Sequence, residues 1–211
     1  MYYSLFQKKK SNIITFFRKG LQPMNMHLNQ SYHKPVKTFP SRGGYRAFGF
    51  TLKNGRKHNG EDYWCSVGSP VCAILDGEVV LSSEIGGFGS LNPSTKGGCI
   101  IIKHRLILPA IKQISDSATG TFFAIYGHLT RKVEKGNKVN KGQVVGLIRP
   151  FTNEGISCPH LHFGINTFRT HPVKGLGYSE SLIGFHNPKQ YMDRNAFLSG
   201  MQSNGYWAPT W

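Results

Sequence analysis

The chain contains 211 residues, of which 39% are hydrophobic, 12% aromatic and 17% charged. This composition allows one domain of ordinary size with a hydrophobic core, and it excludes a wholly disordered chain. The 26 Lys and Arg residues outnumber the 10 Asp and Glu residues, so the net charge is +16 and an anionic partner is favoured. Nucleic acid, anionic lipid and anionic cell-wall polymer all satisfy that charge.

The first segment, 1–41, is basic and polar without a sustained period, and it is predicted to be an arm or tail. Its apolar run at 13–17 follows Lys8, Lys9 and Lys10 but is shorter than the roughly 7–15 residues of a signal-peptide core. No stretch reaches the roughly 20 apolar residues of a membrane span, so no transmembrane segment is expected. Residues 42–198 are predicted to form the main domain, and 199–211 a C-terminal tail.

Short β-prone runs dominate the main domain. They occur at 71–73, 79–81, 99–103 and 121–126, and Asp76-Gly77 predicts a turn between the first two. With 25 Gly and 11 Pro in the chain, frequent turns are expected. The sequence therefore predicts a mostly β fold with few helices.

The segments between these runs differ in character. Residues 86–98 hold five Gly and a Pro and are predicted to form a loop. Residues 105–120 are too long for a hairpin turn, and their first half, 106–114, can form a short helix. Residues 133–148 contain two Lys-Gly pairs beside Val-rich stretches, which indicates a strand, a turn and a strand.

Three of the nine histidines stand in patterns that are chemically informative by themselves, and a fourth, His128, is considered together with them. His58 and Asp62 are four residues apart with Gly60 between them, a spacing that can bring both side chains to one metal. In the sequence 159–165, Leu, Phe and Ile alternate with His160 and His162. Because successive side chains of a strand point to opposite faces, the two imidazoles are expected to stand together on the face opposite the core.

His128 ends an apolar run and by itself carries no functional signal. The other histidines lack partners at a useful spacing and are interpreted as surface or packing residues: His27, His33, His104, His171 and His186.

These groups, in this order, resemble the lysostaphin-like (LytM-type) peptidoglycan zinc metalloendopeptidases over about 42–198. The matching motifs are His-x-Gly-x-Asp at 58–62, Gly-Ser-Pro-Val and Asp-Gly-Glu-Val-Val within 68–80, Tyr-x-His-Leu at 126–129, Lys-Gly-x-x-Val-x-x-Gly-Gln-Val-x-Gly at 135–146, Pro-His-Leu-His-Phe at 159–163 and Asn-Pro at 187–188. The ordered set is far more specific than any one motif.

The resemblance implies an antiparallel sheet forming the floor of an open groove. It implies that His58, Asp62 and His162 hold one Zn²⁺ per chain, and that His128 and His160 assist catalysis. Three protein ligands leave a fourth position for water, which is the arrangement of catalytic zinc sites. The expected reaction is hydrolysis of peptide stems or cross-links of peptidoglycan through a zinc-bound water.

The resemblance also implies a periplasmic or extracellular location, although no clear signal peptide is present. A monomer that binds anionic cell-wall polymer, without specific nucleic-acid binding, is expected. The sequence departs from the family pattern at Gly164, where many relatives carry an acidic residue, at Cys158, which can add a metal ligand, and in the long segment 105–120.

Other functions remain open from sequence alone. The main alternative is a catalytically silent cell-wall-binding regulator of other wall hydrolases. The pattern at 133–148 also resembles lipoyl or biotinyl carriers and sugar-transport phosphocarriers, but no modified Lys is evident, and a phosphocarrier does not need the His58–Asp62 pair. A basic nucleic-acid binder has the charge but no recognised motif. Cys65, Cys72, Cys99 and Cys158 form no CxxC pair, so buried thiols or one disulfide are expected.

Overall fold

The computed structural model describes residues 33–36, 47–90, 92, 94–105, 120–153, 155–168, 170–172 and 175–190. Within them the chain forms thirteen strands: β1 (Lys57–His58), β2 (Glu61–Trp64), β3 (Pro70–Cys72), β4 (Gly77–Gly86), β5 (Lys96–Arg105), β6 (Thr121–Arg131), β7 (Lys138–Val139), β8 (Val144–Ile148), β9 (Thr152–Asn153), β10 (Ile156–Ser157), β11 (His160–Asn166), β12 (Tyr178–Ser179) and β13 (Phe185–His186). In this part of the chain, helix is limited to a single turn at 188–190.

The strands form one large sheet and two small ones, and every pairing is antiparallel. The large sheet has the order β13-β11-β6-β5-β4-β7, with β2 paired to β11, β8 to β6 and β3 to β8. The prediction of a mostly β, antiparallel, lysostaphin-like fold is confirmed. The turn before β4 is present, but β3 and β4 pair with other strands and not with each other.

The two faces of the large sheet carry different kinds of side chain, as strand β11 shows. Leu161, Phe163 and Ile165 are fully buried in the larger hydrophobic core together with Tyr126. His160 and His162 alternate with them and therefore lie on the other face, as the sequence pattern predicts. A second, smaller apolar cluster around Phe88, Ile101 and Ile125 covers part of that same face. His160 and His162 therefore lie on the part of this face that the smaller apolar cluster leaves uncovered.

The glycine-rich segment 86–98 is less of a loop than predicted. Strand β4 continues to Gly86 and β5 begins at Lys96, so the ends of the segment are paired strand. The glycines are there for close backbone approach, since a Cβ on Gly97 would lie 2.0 Å from the carbonyl oxygen of Phe88. Glycine clustering was therefore a wrong indicator of strand ends, because it reflects tight packing as well as turns.

Several predicted segments lie outside the described residues. These are most of the arm 1–41, the connection 106–119 with its predicted helix, and the tail 199–211. Residues 33–36 of the arm are described, and they pack on the domain: Val36 is buried in the core, and Cys72 donates its backbone N–H to the Pro35 carbonyl. The part of the chain that the structure describes contains no helix capable of spanning a membrane.

Burial lowers the reactivity of the cysteine thiols. Cys65, Cys72 and Cys99 are free thiols, and burial raises the pKa of Cys65 and of Cys99 to about 12. Since the thiolate is the reactive form, both side chains act as small apolar groups at neutral pH.

His104 should make folding stability depend on pH. Its side chain is fully buried against Phe122, its Nδ1 lies 3.0 Å from the Asp76 carbonyl oxygen, and burial lowers its pKa to about 4. An unfolded histidine has a pKa of about 6.5, so between pH 6.5 and pH 4 the unfolded chain binds the extra proton. Stability contributed by neutral His104 is therefore present above pH 6.5 and lost as the pH falls towards 4, by about 2 kcal/mol between pH 7 and pH 5.

Urea unfolding of wild type and His104→Gln at both pH values tests this. The free-energy difference between the two proteins should shift by that amount in favour of the variant at pH 5. Val79→Ala, at a fully buried position that cannot titrate, serves as the control for lost stability and should show no such shift. An equal pH dependence of all three proteins would contradict the prediction.

Candidate metal centre

The first part of the site is the turn that joins β1 to β2. Asp62, the second residue of β2, pairs directly with His162 and shares its face of the sheet, and His58, which ends β1, places its ring against the ring of His162. Gly60 lies between them because nothing larger fits: a Cβ there would lie 2.5 Å from Cε1 of His162. The glycine of the 58–62 motif therefore gives the His162 ring its place beside the other two residues.

Three possible ligand atoms converge at this point. Nε2 of His58 lies 2.9 Å from Nδ1 of His162, and Oδ1 of Asp62 lies 3.2 Å from each of them. Two ligands bound about 2.0–2.1 Å from a tetrahedral zinc are about 3.3 Å apart, so the observed triangle has the dimensions of a zinc face. Two imidazoles and one carboxylate are also a donor set that zinc accepts. The residues present fit the metal.

The three side chains of the triangle are shielded from solvent, so they strongly affect one another's pKa values. The side chains of His58, Asp62 and His162 are 1%, 7% and 2% exposed. Burial raises the pKa of Asp62. Electrostatic attraction to His160 and His58, together with hydrogen bonds from His162 and His58, lowers this pKa by more than burial raises it, so it lies well below its ordinary value. Burial lowers the pKa of His162. A carboxylate beside neutral imidazoles is the protonation state in which these groups bind a cation.

His128 reaches the site through a break in strand regularity. The pairing of β5 with β6 shifts register between Gly98 and Cys99, leaving His128 as an extra residue in β6. His128 is also the non-glycine residue with a positive φ, 64°, among those described. Tyr126 and Leu129 both enter the larger core although they are three residues apart, which simple alternation forbids. The bulge thereby turns His128 to the face of His160 and His162.

His128 and His160 present the same ring nitrogen to the site. Nδ1 of His128 lies 2.9 Å from the Phe88 carbonyl oxygen, and Nδ1 of His160 lies 2.7 Å from the Cys158 carbonyl oxygen. Each Nδ1 therefore carries the proton that it donates, and each Nε2 is left as an acceptor. Nε2 of His160 lies 3.7 Å from Oδ2 of Asp62. The centres of the His128 and His160 rings are 4.3 Å apart. Burial, and next repulsion from the His160 ring whenever that ring is protonated, hold the pKa of His128 well below its ordinary value.

Aromatic residues that carried no sequence signal line the site. Phe151 makes T-shaped contacts with the rings of His128 and His160, whose centres lie 4.3 and 4.8 Å from its own. Phe88 contacts His128 and His162, and Tyr178 lies 5.0 Å from His58. The sequence pattern could not identify these residues, because each lies in a loop or a two-residue strand, where side chains follow no regular period.

The remaining candidates lie elsewhere or outside the cluster. Of the histidines interpreted as packing or surface residues, His104 is buried beside Phe122, His171 contacts Phe123 and His186 contacts Thr167, while His27 is outside the described residues. Cys158 is not a member of the potential metal-binding group found among the described residues. Its backbone carbonyl, which positions His160, is its visible contribution.

Comparison with known proteins connects this geometry to a family. Residues 56–174, more than half of the chain, match the family described as Peptidase family M23. Two curated relatives come from Vibrio cholerae serotype O1. Peptidoglycan DD-endopeptidase ShyA is 31% identical over 121 residues, covering 56% of this chain and 22% of ShyA. Peptidoglycan DD-endopeptidase ShyC is 27% identical over 182 residues, covering 82% of this chain and 34% of ShyC.

The chain thus spans about a third or less of the length of these curated relatives. Among solved structures, the antimicrobial peptidase lysostaphin from Staphylococcus simulans matches with a TM-score of 0.50 at 20% identity. That match covers 85% of this chain and 59% of lysostaphin, and at this identity it shows a shared fold.

Proposed function

The chain belongs to peptidase family M23, and on that premise we propose that it is a zinc-dependent endopeptidase acting on the peptide stems or cross-links of bacterial peptidoglycan. The observation that carries the proposal is the triangle formed by His58, Asp62 and His162, whose dimensions suit zinc. The two curated relatives support the substrate class, because both are peptidoglycan endopeptidases by name.

In this proposal His58, Asp62 and His162 hold one zinc per chain through Nε2, a carboxylate oxygen and Nδ1. Bound zinc supplies a water of lowered pKa and a positive charge that polarises the scissile carbonyl. Asp62 also offsets, with its negative charge, part of the metal's charge in a site that excludes solvent.

His128 and His160 move the protons. Their Nδ1 atoms are engaged by backbone carbonyls, so Nε2 is the atom that accepts a proton from the attacking water or, once protonated, donates to the developing oxyanion. Phe151 and Phe88 hold the two rings in place and keep bulk water away from them. Fixed orientation matters because a hydrogen-bonding group helps only where charge develops.

The same proposal includes the anionic partner, the location, the domain bounds and the oligomeric state of the protein. An excess of 16 positive charges favours attraction to an anionic cell-wall polymer, and a wall substrate places the protein in the periplasm or outside the cell. Residues 42–198 form the catalytic unit, completed by the docked segment 33–36, whose Val36 fills the core. The protein acts as a monomer.

Digestion of purified muropeptides, with products identified by mass, tests the function. The zinc-loaded protein should release fragments cut at a peptide bond of the stem or cross-link, and chelation of zinc should stop the reaction. Zinc-loaded protein that binds walls without cutting any muropeptide would overturn the proposal in favour of a silent wall-binding regulator.

A further inference from the structure

One peptide group beside the site makes two contacts that point in opposite directions. The N–H of Phe48 donates to Oε2 of Glu61 at 2.7 Å. The carbonyl oxygen of Ala47, which belongs to the same peptide unit, lies 3.3 Å from Nδ1 of His58. Because a trans peptide is planar and its N–H and C=O are antiparallel, fixing one end fixes the direction of the other.

The segment carrying this peptide forms a turn that is also held by backbone hydrogen bonds and by the packing of Phe48 on the smaller apolar cluster. Phe50 donates to the Ala47 carbonyl, Gly49 donates to the His58 carbonyl, and His58 donates to the Phe50 carbonyl. These bonds tie the turn to the backbone of β1. Among the described residues, Glu61 is the side chain that ties it to β2, the strand that carries Asp62.

We propose that Glu61 is a positioning residue for the metal centre, acting on His58 through the Ala47–Phe48 peptide. Glu61 accepts the peptide N–H, which aims and polarises the carbonyl that receives the His58 Nδ1 proton. With the proton held at Nδ1, the lone pair of His58 stands at Nε2, the atom that faces Asp62 and His162. The inference rests on the proposed zinc site and adds to it a supporting carboxylate that reaches the ligand through the backbone.

The contact and the charge of Glu61 can be separated by three substitutions. Glu61→Ala removes both, Glu61→Asp keeps the charge but is one methylene too short for the contact, and Glu61→Gln keeps an acceptor oxygen without the charge. Glu78→Ala is the matched control, because Glu78 is an exposed carboxylate paired with Lys138 on a different strand. Zinc affinity is measured by competition with a chromophoric chelator, and the His58 tautomer by ¹⁵N NMR of the metal-free protein.

Removal of a group that supports a ligand typically lowers metal affinity by about 10–100-fold. We expect that loss in Glu61→Ala and Glu61→Asp, while Glu61→Gln and Glu78→Ala stay close to wild type. In the metal-free protein the Asp62 carboxylate competes for the His58 proton at Nε2. The His58 signals should therefore show more of the Nδ1-protonated tautomer in wild type and Glu61→Gln than in Glu61→Ala and Glu61→Asp. A merely structural role would lower thermal stability without moving the tautomer.

Two results would overturn the inference. One is wild-type zinc affinity in both Glu61→Ala and Glu61→Asp. The other is retained affinity in Glu61→Asp with loss in Glu61→Gln, which would assign the effect to charge alone. Failure of the underlying zinc site looks different: the wild type would then bind zinc no more tightly than His58→Ala, whatever stands at position 61.

Discussion

Replacing Asp62 by Ala should strip zinc from the protein and reduce peptidoglycan cleavage to background. Its Oδ1 is the atom that contacts both His58 and His162, and it contributes the negative charge of the triangle. A structural zinc bound by four ligands is worth about 10–16 kcal/mol, so one ligand is worth about 3 kcal/mol and its loss should weaken binding by roughly 10²-fold or more. Zinc per chain and zinc affinity are the measurements, with cleavage of muropeptides as the functional readout.

His58→Ala and His162→Ala should behave in the same way, since each leaves two ligands. His186→Ala is a suitable control, because that histidine contacts Thr167 and is not in the cluster. The metal-free Asp62→Ala protein should still fold, because the change removes a buried carboxylate whose desolvation is costly. An Asp62→Ala protein that carries one zinc per chain at wild-type affinity would show that the ligands are assigned wrongly.

Replacing His128 or His160 by Ala should leave zinc bound and still remove most activity. Both side chains approach the triangle without belonging to the group that can hold the metal. General acid–base assistance is typically worth about 10²–10⁴-fold in rate, and a loss of that size is expected in each variant. The rate of muropeptide cleavage at saturating zinc, measured beside zinc content, separates this outcome from loss of metal.

His128 needs a control for its backbone conformation. Its φ of 64° costs roughly 1–2 kcal/mol for any residue with a Cβ, so His128→Ala keeps the backbone strain of the wild type while it loses the imidazole. His128→Gly removes the imidazole without this strain and should be more stable than His128→Ala but equally inactive. Activity restored in His128→Gly, or full activity in both His128→Ala and His160→Ala, would contradict the catalytic roles. Loss of zinc in His160→Ala alone would exchange the roles of His160 and His162.

Much of the site could be predicted because the relevant information is local. In β11, the alternation of Leu161, Phe163 and Ile165 with His160 and His162 reports which face is buried, and the structure follows it. The 58–62 motif needs only a tight connection between two strands. Prediction failed at the ends of segment 86–98, which belong to β4 and β5, because glycines that permit backbone contact with Phe88 looked like those of an open loop.

The family, the antiparallel strands and the side of the sheet that carries the histidine pair could all be predicted from the amino-acid sequence, because strand period and motif order are properties of neighbouring residues. Three features became visible in the folded chain alone: a bulge turns His128 to the site, backbone carbonyls hold the ring nitrogens, and Glu61 reaches His58 through a peptide. Those features join residues from different strands and loops. Their geometry follows from register and packing across the sheet, where a shift of one residue moves a side chain to the other face.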